Sequence, residues 1–369
     1  MPDLIALDLP GGQQFVDELQ RAWAGGHAVL PVDQRLPGPA REALFTAMSP
    51  SAVVDARGRH PLPDGRPVEP GDALVVATSG STGTPKGVVL THAAVEASAR
   101  ATSARLGTTA VDTWLACLPL AHVGGLSVVT RALTTGARLV VHDGFDASAV
   151  QQAARDGATC VSLVATALQR IDPAVFRVIV LGGSRPPDDL PTNVHTTYGL
   201  TETGSGVVYD GRPLGGVEVQ IAADGEILLR GPMLLRCYRD GSTPLDADGW
   251  LHTGDLGRWL ADGRLHVEGR RGDMIVTGGE KVWPEAVEAA LATHPSVQEV
   301  AVAGVPDPQW GQRVVAWVVP NPFARTVELA ELKAHVVERL APYCAPKELR
   351  LVEQLPRTAL GKIQRHRLP

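Results

Sequence analysis

Short apolar runs alternate with helix-like segments through much of the chain, and this alternation restricts the folds that the chain can adopt. Phe15, Leu19 and Trp23 recur about one helical turn apart, which predicts an amphipathic helix over residues 12–24. Gly25-Gly26 ends that helix, and a buried strand follows. Comparable apolar runs lie at residues 73–79, 113–118, 138–141, 160–164 and 175–181. The pattern predicts an α/β fold in which helices flank a mostly parallel sheet.

The pattern changes near Gly216. Residues 217–230 and 257–270 alternate apolar with polar side chains, and an Asp-Gly pair interrupts each segment, which predicts two β-hairpins. Beyond residue 273 we expect a helix with Pro284 in its first turn, strands at 298–305 and 312–319, and a helix near 327–341. Two domains follow from this pattern. The first is a large domain of mixed sheets, helices and hairpins (1–271), and the second is a small α+β domain (272–369).

Composition narrows the class of protein. The 369 residues carry a formal net charge of −6, which argues against a nucleic-acid binder. No apolar run approaches the roughly 18 residues of a membrane span, and the opening residues MPDLIALDLPGG lack the basic region of a signal peptide. Four scattered cysteines, with no CxxC pair, favour free thiols in a reducing cytoplasm. We therefore expect a cytoplasmic protein without membrane insertion.

The segment TSGSTGTPKG, residues 78–87, carries the strongest chemical signal. Its glycines let backbone N–H groups turn toward an anion, its hydroxyls can bond phosphate oxygens, and Lys86 adds a positive charge. Pro85 stands where a Walker A loop needs its second glycine, so the segment is not that motif. An apolar strand precedes the segment, and a helix over residues 91–107 follows it. Residues 50–71, rich in Pro, Gly and charge, are by contrast predicted to be a surface loop. This setting favours a phosphate-binding loop over a flexible linker.

Six motifs in order resemble the adenylate-forming (ANL) superfamily of acyl-CoA synthetases, peptide-synthetase adenylation domains and luciferases. The phosphate loop is the first of them. The others are YGLTE at 198–202, GWLHTGD at 249–255, GRRGD at 269–273, GGE at 278–280 with Pro284, and PRTALGK at 356–362. The resemblance implies the ANL fold, with a mobile C-terminal domain.

The resemblance also implies an ATP site. The residues it assigns to ATP are Thr78, Ser79, Gly80, Ser81, Thr82, Gly83, Lys86, Gly182, Gly183, Ser184, Tyr198, Gly199, Thr201, Asp255, Arg270 and Lys362. Glu202 matches the carboxylate that binds magnesium, and Thr201 the hydroxyl that contacts the α-phosphate. Asp255, with Arg270, matches the acceptor of the ribose hydroxyls, and Tyr198 would stack on adenine. Taken alone, Glu202 reads equally as a solvated acid.

Further positions gain roles by the same resemblance. Lys362 matches the lysine that neutralises charge during adenylation, although its segment also reads as a basic surface strand. Gly272 occupies the hinge position, where relatives usually carry Asp, Lys or Ser; an ordinary linker glycine is the alternative. His122 lies in a motif of the acyl pocket, or else caps the following helix. Coenzyme A would pass near Gly278, Gly279 and Glu280.

Three longer segments favour one branch of the superfamily. PLAHVGGLSVVTRAL, YGLTETGSGVVYDGRPLGGVEV and GRRGDMIVTGGEKVWPEAVE resemble the o-succinylbenzoate–CoA ligases of menaquinone biosynthesis, in the short form typical of actinobacteria. The early strand of the family arrives already at Gly25, so the N-terminal part is expected to be truncated. The implied substrates are 2-succinylbenzoate, ATP with Mg²⁺, and coenzyme A, and family habit suggests a homodimer. Arg131, Ser205 and Thr203 are all candidates to bind the second carboxylate.

Three other functions stay open at this point. The chain could be another aryl- or acyl-CoA ligase, or a stand-alone domain that loads a carrier protein. It could also be a non-catalytic relative that only binds nucleotide. The non-catalytic reading is disfavoured, because a relative that does not catalyse a reaction would have no need to keep all five of the residues Lys86, Glu202, Asp255, Arg270 and Lys362.

Overall fold

The computed structural model describes residues 1–79, 85–183, 185–187, 189–325, 327–357 and 363–369, with the backbone alone for Ser79. The chain divides into two compact units. The first consists of Met1–Gln220, Leu228–Thr253 and Ala261–Leu265, and the second of Ile221–Ile227, Gly254–Leu260 and His266–Pro369. The hinge at Gly272 and the two-domain boundary stay predictions.

Twenty-three strands and eight α-helices lie in the described ranges. The strands are β1 (Leu4–Leu7), β2 (Ala28–Pro31), β3 (Ala52–Asp55), β4 (Gly58–Pro61), β5 (Asp72–Ser79), β6 (Pro85–Thr91), β7 (Thr113–Ala116), β8 (Arg138–Val141), β9 (Cys160–Leu163), β10 (Val178–Leu181), β11 (Val194–Gly199), β12 (Gly206–Tyr209), β13 (Arg212–Pro213), β14 (Glu218–Ile221), β15 (Glu226–Arg230), β16 (Cys237–Tyr238), β17 (Leu251–Trp259), β18 (Leu265–Arg270), β19 (Ile275–Thr277), β20 (Glu280–Val282), β21 (Val297–Asp307), β22 (Gly311–Pro320) and β23 (Glu348–Leu351). The helices are α1 (Gln13–Ala24), α2 (Gly38–Met48), α3 (His92–Leu106), α4 (Val123–Thr135), α5 (Ala147–Arg155), α6 (Ala165–Leu168), α7 (Pro284–Ala292) and α8 (Leu329–Val337).

Two seven-stranded sheets dominate the first unit. One has the order β16-β6-β5-β2-β1-β3-β4 and the other β13-β12-β11-β10-β9-β7-β8. Parallel pairs such as β1–β2 and β10–β11 form their centres, and antiparallel pairs such as β5–β6 and β11–β12 extend them. The predicted α/β class with mixed sheets is confirmed.

Two stretches of the chain form strands that were not predicted. Residues 50–71 are not simply a surface loop, because β3 and β4 form an antiparallel hairpin there, with Ala52 and Val54 buried. The helix predicted over residues 91–107 is confirmed as α3, which Thr91 caps. The buried run Val88-Val89-Leu90 before it forms β6, a strand that was not predicted. Both segments were too short for their periodicity to reveal strands.

The hairpin region and the second unit follow the predictions closely. Gly225 and Gly263 have φ values of 89° and 77°, which glycine adopts readily, and they turn the chain between β14 and β15 and between β17 and β18. β19 to β22 form an antiparallel sheet with β23 added parallel to β22, and α7 and α8 supply Leu291 and Val336 to its buried core. Within the described ranges, no helix combines the length and the apolar character needed to cross a bilayer.

Candidate active site

A hairpin holds the two ends of the phosphate loop together. β5 and β6 are antiparallel, with Thr78 opposite Lys86 and Ser79 opposite Pro85. The Thr78 hydroxyl donates to the carbonyl of Lys86 at 3.4 Å. Of the loop residues predicted to bind phosphate, Gly80, Ser81, Thr82 and Gly83 lie outside the described residues, as does the side chain of Ser79. The described part therefore fixes where the loop begins and ends, and places Lys86 at its exit.

Close packing under the loop admits only glycine at position 87. A Cβ atom there would lie 2.4 Å from the sulfur of Met48 and 2.8 Å from Val75 Cγ1. No real Cβ atom approaches its neighbours so closely, so a side chain would push β6 away from the helix and strand beneath it. Gly87 lets the strand that carries Lys86 lie flat on the core.

One tyrosine links the phosphate loop to the predicted metal-binding carboxylate. The Tyr238 hydroxyl donates to Glu202 Oε1 at 2.9 Å, and Lys86 Nζ lies 5.0 Å from the centre of the Tyr238 ring. β16 pairs with β6, which places Tyr238 opposite Val88. No sequence signal indicated Tyr238, because the two-residue strand that carries it is too short to show a periodicity.

The donor set around Glu202 fits Mg²⁺. In the part of the chain that the structure describes, no cluster of three or more His, Cys, Asp or Glu side chains could hold a metal by itself. Mg²⁺ commonly binds one or two protein carboxylates and completes its shell with phosphate oxygens and water. Glu202 offers one half-buried carboxylate, which accepts a hydrogen bond from Tyr238.

The turn at residues 201–203 presents Thr201 and Glu202. Its core is Thr203, fully buried, whose hydroxyl accepts a hydrogen bond from the Leu200 N–H at 2.9 Å and lies 2.6 Å from the carbonyl of Ser205, to which it donates. At Gly199 a Cβ would lie 2.3 Å from that same carbonyl, so glycine is required. Of the candidates for the second carboxylate, Thr203 is thus already engaged in the turn, and Ser205 is buried beside it.

The described residues predicted to bind adenine lie at one edge of the second sheet. β10 and β11 are parallel, so their carboxyl ends meet at one edge, where open α/β sheets bind ligands. Gly182 and Gly183 follow β10, and Tyr198 is the penultimate residue of β11. A Cβ at Gly182 would lie 2.7 Å from the Thr197 hydroxyl, and Gly183 has a φ of 87°. Ser184 lies outside the described residues.

The predicted ribose pair forms within the second unit. Arg270 Nε lies 3.2 Å from Asp255 Oδ1; the Asp255 side chain is about 10% exposed and that of Arg270 about 44%. Gly254, just before Asp255, donates its N–H to Glu226 at 2.8 Å. The neighbouring Arg271 pairs with Asp224 at 2.9 Å. A buried carboxylate oriented by an arginine can accept hydrogen bonds from a diol, as the prediction requires.

His122 lies in a polar network with Asp33 and Arg35. Its Nε2 lies 3.3 Å from Asp33 Oδ2, and Arg35 binds Asp33 through two nitrogens at 2.8 and 2.9 Å. Because a carboxylate only accepts, the His122 proton must be on Nε2. Burial opposes ionisation of Asp33, but the hydrogen bonds from His122 and Arg35 overcome it and hold the pKa of that carboxyl far below its usual range. His122 occupies the N-cap position of α4 without a side-chain cap bond, so its ring is committed to Asp33.

Arg131 is a buried cation on α4. It is 2% exposed, and its Nε and NH1 have no hydrogen-bond partner among the described residues. Its guanidinium lies 4.5 Å from the centre of the Trp114 ring, and burial lowers its pKa. A buried unpaired charge is costly, so Arg131 stays a candidate to bind the second carboxylate.

The remaining predicted residues lie in the second unit. Gly278 and Gly279 have φ values of 60° and 86° and form the tight turn before the exposed Glu280. The Gly278 N–H donates to the carbonyl of Trp310 at 2.8 Å, and a Cβ at Gly278 would lie 2.8 Å from the indole. Trp310 thus packs against the turn that the resemblance assigns to coenzyme A, and no sequence motif indicated it.

Lys362 lies outside the described residues, but the segment after it is firmly bound. The guanidinium of Arg365 contacts Asp273 at 3.0 Å, Glu285 at 3.0 Å and Glu288 at 2.7 Å. Its Nε also donates to the carbonyl of Val302 at 3.1 Å. We call this group the Arg365 cluster. It joins the C-terminal turn to α7 and to the residue that follows Gly272.

Comparison with known proteins identifies the family of both regions. Residues 38–239 match the family model of the AMP-binding enzyme, and residues 286–362 match that of the AMP-binding enzyme C-terminal domain. A probable 2-succinylbenzoate–CoA ligase of Mycobacterium tuberculosis is 39% identical over 362 residues, covering 91% of this chain and 93% of the relative. The 2-succinylbenzoate–CoA ligase of Listeria monocytogenes is 36% identical, covering 80% of this chain and 69% of the relative.

Solved structures agree with the sequence relatives. The o-succinylbenzoate CoA synthetase of Bacillus subtilis, in complex with the acyl-adenylate intermediate OSB-AMP, has a TM-score of 0.88 and 28% identity, covering 99% of this chain and 87% of that one. The same enzyme in complex with ATP and magnesium ion also gives 0.88 and 28%, covering 99% and 89%.

Proposed function

Because the chain belongs to the AMP-binding enzyme family, we propose that it is an ATP-dependent acid–CoA ligase that converts 2-succinylbenzoate to 2-succinylbenzoyl-CoA. In the first step a carboxylate oxygen attacks the α-phosphorus of ATP, and pyrophosphate leaves. In the second step the thiol of coenzyme A attacks the acyl-adenylate, and AMP leaves. We assign this reaction to menaquinone biosynthesis in the reducing cytoplasm, a setting that suits the four cysteines, all of which are free thiols.

The adenylation step needs positive charge and hydrogen-bond donors around the phosphates, because negative charge builds up there in the transition state. Lys86 and Thr201 supply them from the phosphate loop and from the turn beside Glu202. A Mg²⁺ ion held by Glu202 and by the phosphates would neutralise further charge when bound. By the family resemblance we assign Asp255 with Arg270 to the ribose, Tyr198 and the Gly182-Gly183 turn to adenine, and Lys362 to the charge that builds up during adenylation. The observation that carries this assignment is the contact of Tyr238 with both Lys86 and Glu202.

Arg131 supports a dicarboxylic acid as the substrate. The acid must keep one carboxylate for activation, and the other enters the protein as a charge that needs a partner. Arg131 is fully buried, its Nε and NH1 lack partners in the described part of the chain, and it lies on the helix that begins after His122. We assign the second carboxylate to Arg131 in preference to Thr203, whose hydroxyl is bonded within its turn.

Product analysis tests the proposal. The protein is incubated with ATP, Mg²⁺, coenzyme A and a panel of acids, including 2-succinylbenzoate, benzoate and short fatty acids, and products are identified by mass spectrometry. We expect an acyl-CoA from 2-succinylbenzoate, with a kcat/KM far above that for the other acids. The matched control is the half-ester of 2-succinylbenzoate that leaves the activated carboxylate intact and blocks the other.

Each other result excludes part of the assignment. Turnover of a different acid would keep the two-step chemistry and refute the substrate. Acyl-AMP without an acyl-CoA product would indicate a domain that loads a carrier protein. Absence of turnover with every acid would leave only a nucleotide-binding relative.

A further inference from the structure

Tyr238 is fixed to the strand that carries Lys86. It lies at the edge of the first sheet, where β16 pairs with β6 through Cys237–Val89 and Tyr238–Val88. The next residue, Arg239, donates its N–H to the carbonyl of Gly87 at 2.6 Å. The guanidinium of Arg239 is in turn buried against backbone carbonyls, with those of Met48 at 3.0 Å and Pro67 at 2.8 Å. The backbone of Tyr238 is therefore held against the phosphate-loop hairpin from both sides.

The side chain of Tyr238 touches two groups to which the proposed function gives different tasks. Its hydroxyl donates to Glu202 Oε1 at 2.9 Å. The face of its ring lies 5.0 Å from the ammonium of Lys86, within the range of a cation–π attraction. Lys86 is exposed, so without such a contact its long side chain would sample many rotamers.

We propose that Tyr238 is a positioning residue of the adenylation step, one that orients Glu202 for Mg²⁺ and holds Lys86 beside the phosphate loop. This inference rests on the proposed function. A donor on Oε1 limits the rotation of the carboxylate and would leave Oε2 to bind Mg²⁺, as hydrogen-bond partners of metal ligands commonly do. The ring limits the rotamers of Lys86 before the phosphates arrive, so less side-chain entropy is lost on binding.

Two substitutions separate the two contacts. Tyr238→Phe removes the hydroxyl and keeps the ring, whereas Tyr238→Leu removes both. The matched control is Tyr343→Phe, at a half-exposed position of the second unit. Each protein is titrated with ATP under equilibrium conditions, once with excess Mg²⁺ and once with EDTA, and its thermal unfolding is recorded.

For Tyr238→Phe we expect the dissociation constant of ATP with Mg²⁺ to rise on the order of 10-fold, as when other partners of metal ligands are removed. The metal-free value should change less than about twofold. Tyr238→Leu should in addition weaken metal-free binding about two- to fivefold, the size of an exposed cation–π contact. Tyr343→Phe should match the wild type in both titrations.

A double-mutant cycle with Glu202→Gln tests whether the hydroxyl acts through Glu202. In the Gln background, Tyr238→Phe should have no further effect on binding with Mg²⁺. Equal losses with and without Mg²⁺, or additive effects in the cycle, would overturn the inference even if the wild type forms the acyl-CoA. A wild type that binds ATP equally well in Mg²⁺ and EDTA would instead overturn the proposed function, and this inference with it.

Discussion

Replacement of Arg131 by methionine should make the protein more stable and, at the same time, a poorer enzyme. In the ligand-free protein the guanidinium is 2% exposed, and two of its nitrogens, Nε and NH1, lack partners among the described residues. Each unsatisfied buried donor costs about 1–3 kcal/mol. The contact with Trp114, 4.5 Å from ring centre to guanidinium, returns about 0.5–2 kcal/mol. Met fills a similar volume without a charge, so Arg131→Met should stabilise the protein by about 1–4 kcal/mol.

Calorimetry and kinetics together check this prediction. Each kcal/mol raises the Tm by roughly 2–4 °C in a domain of about 150–250 residues and by less in a larger one, so the Tm of Arg131→Met should rise by a few degrees at most. The control is Arg100→Met, which removes an exposed arginine of α3 and should leave the Tm nearly unchanged. With 2-succinylbenzoate, kcat/KM should fall on the order of 10²-fold or more, because an uncompensated carboxylate is then buried. With the half-ester, which lacks that charge, Arg131→Met should lose little activity.

Two outcomes would refute the reasoning. A Tm that falls by several degrees would mean that Arg131 stabilises the fold, and that its unpaired nitrogens do not mark a ligand site. Equal losses of activity toward the diacid and the half-ester would mean that Arg131 does not face the second carboxylate.

Three further substitutions test other parts of the site. Lys362→Ala should slow acyl-adenylate formation by about 10²–10³-fold, whereas a supplied acyl-adenylate should still be converted to the thioester. The control is Lys333→Ala, at an exposed position of α8. Equal losses of rate in both half-reactions would contradict the role assigned to Lys362. Gly272→Pro should form the acyl-adenylate but not the thioester, because the fixed φ of proline forbids one of the two backbone states of a hinge. Gly272→Ala, whose Cβ would meet no atom within 4 Å, should keep both half-reactions. If the proline variant also kept both half-reactions, residue 272 would not be a hinge. Asp33→Asn should lower the free energy of unfolding by about 1–3 kcal/mol near neutral pH. The folded-state pKa of Asp33 lies below its ordinary value of 3.8, so the ionised carboxylate stabilises the fold above pH 3.8. This contribution is lost as the pH falls through the folded-state pKa. Thermal unfolding as a function of pH checks it against Asp55→Asn at an exposed Asp–His pair, and a deficit that persists unchanged into strong acid would contradict it.

Much of the fold could be predicted because its signals are local. The Asp-Gly turns at 224–225 and 262–263 need a positive φ, and Pro284 suits the first turn of a helix, so both are visible in a few residues. β3, β4 and β6 were missed because runs of four to seven residues fit several kinds of structure. Their strand character comes from the neighbours they pair with.

The site residues show the same difference between local signals, which the sequence carries, and contacts between distant segments, which it does not. Gly199 and Glu202 sit in a motif of five residues, so the sequence alone could indicate them. Tyr238 lies 36 positions from Glu202 and depends on the pairing of β16 with β6, for which the sequence has no local signal. The choice among Arg131, Ser205 and Thr203 depends on which polar groups already have partners, and only three-dimensional contacts decide that.

The Arg365 cluster has a mechanical consequence. Arg365 stands three residues after Lys362 and is bonded to Asp273, the residue next to Gly272, as well as to two carboxylates of α7. Removal of the guanidinium would leave these acids without their shared cation, so the link is costly to break. If Gly272 is the hinge, as proposed, a change in its φ and ψ angles moves Asp273, α7 and the segment after Lys362 together, because Arg365 ties them into one rigid group.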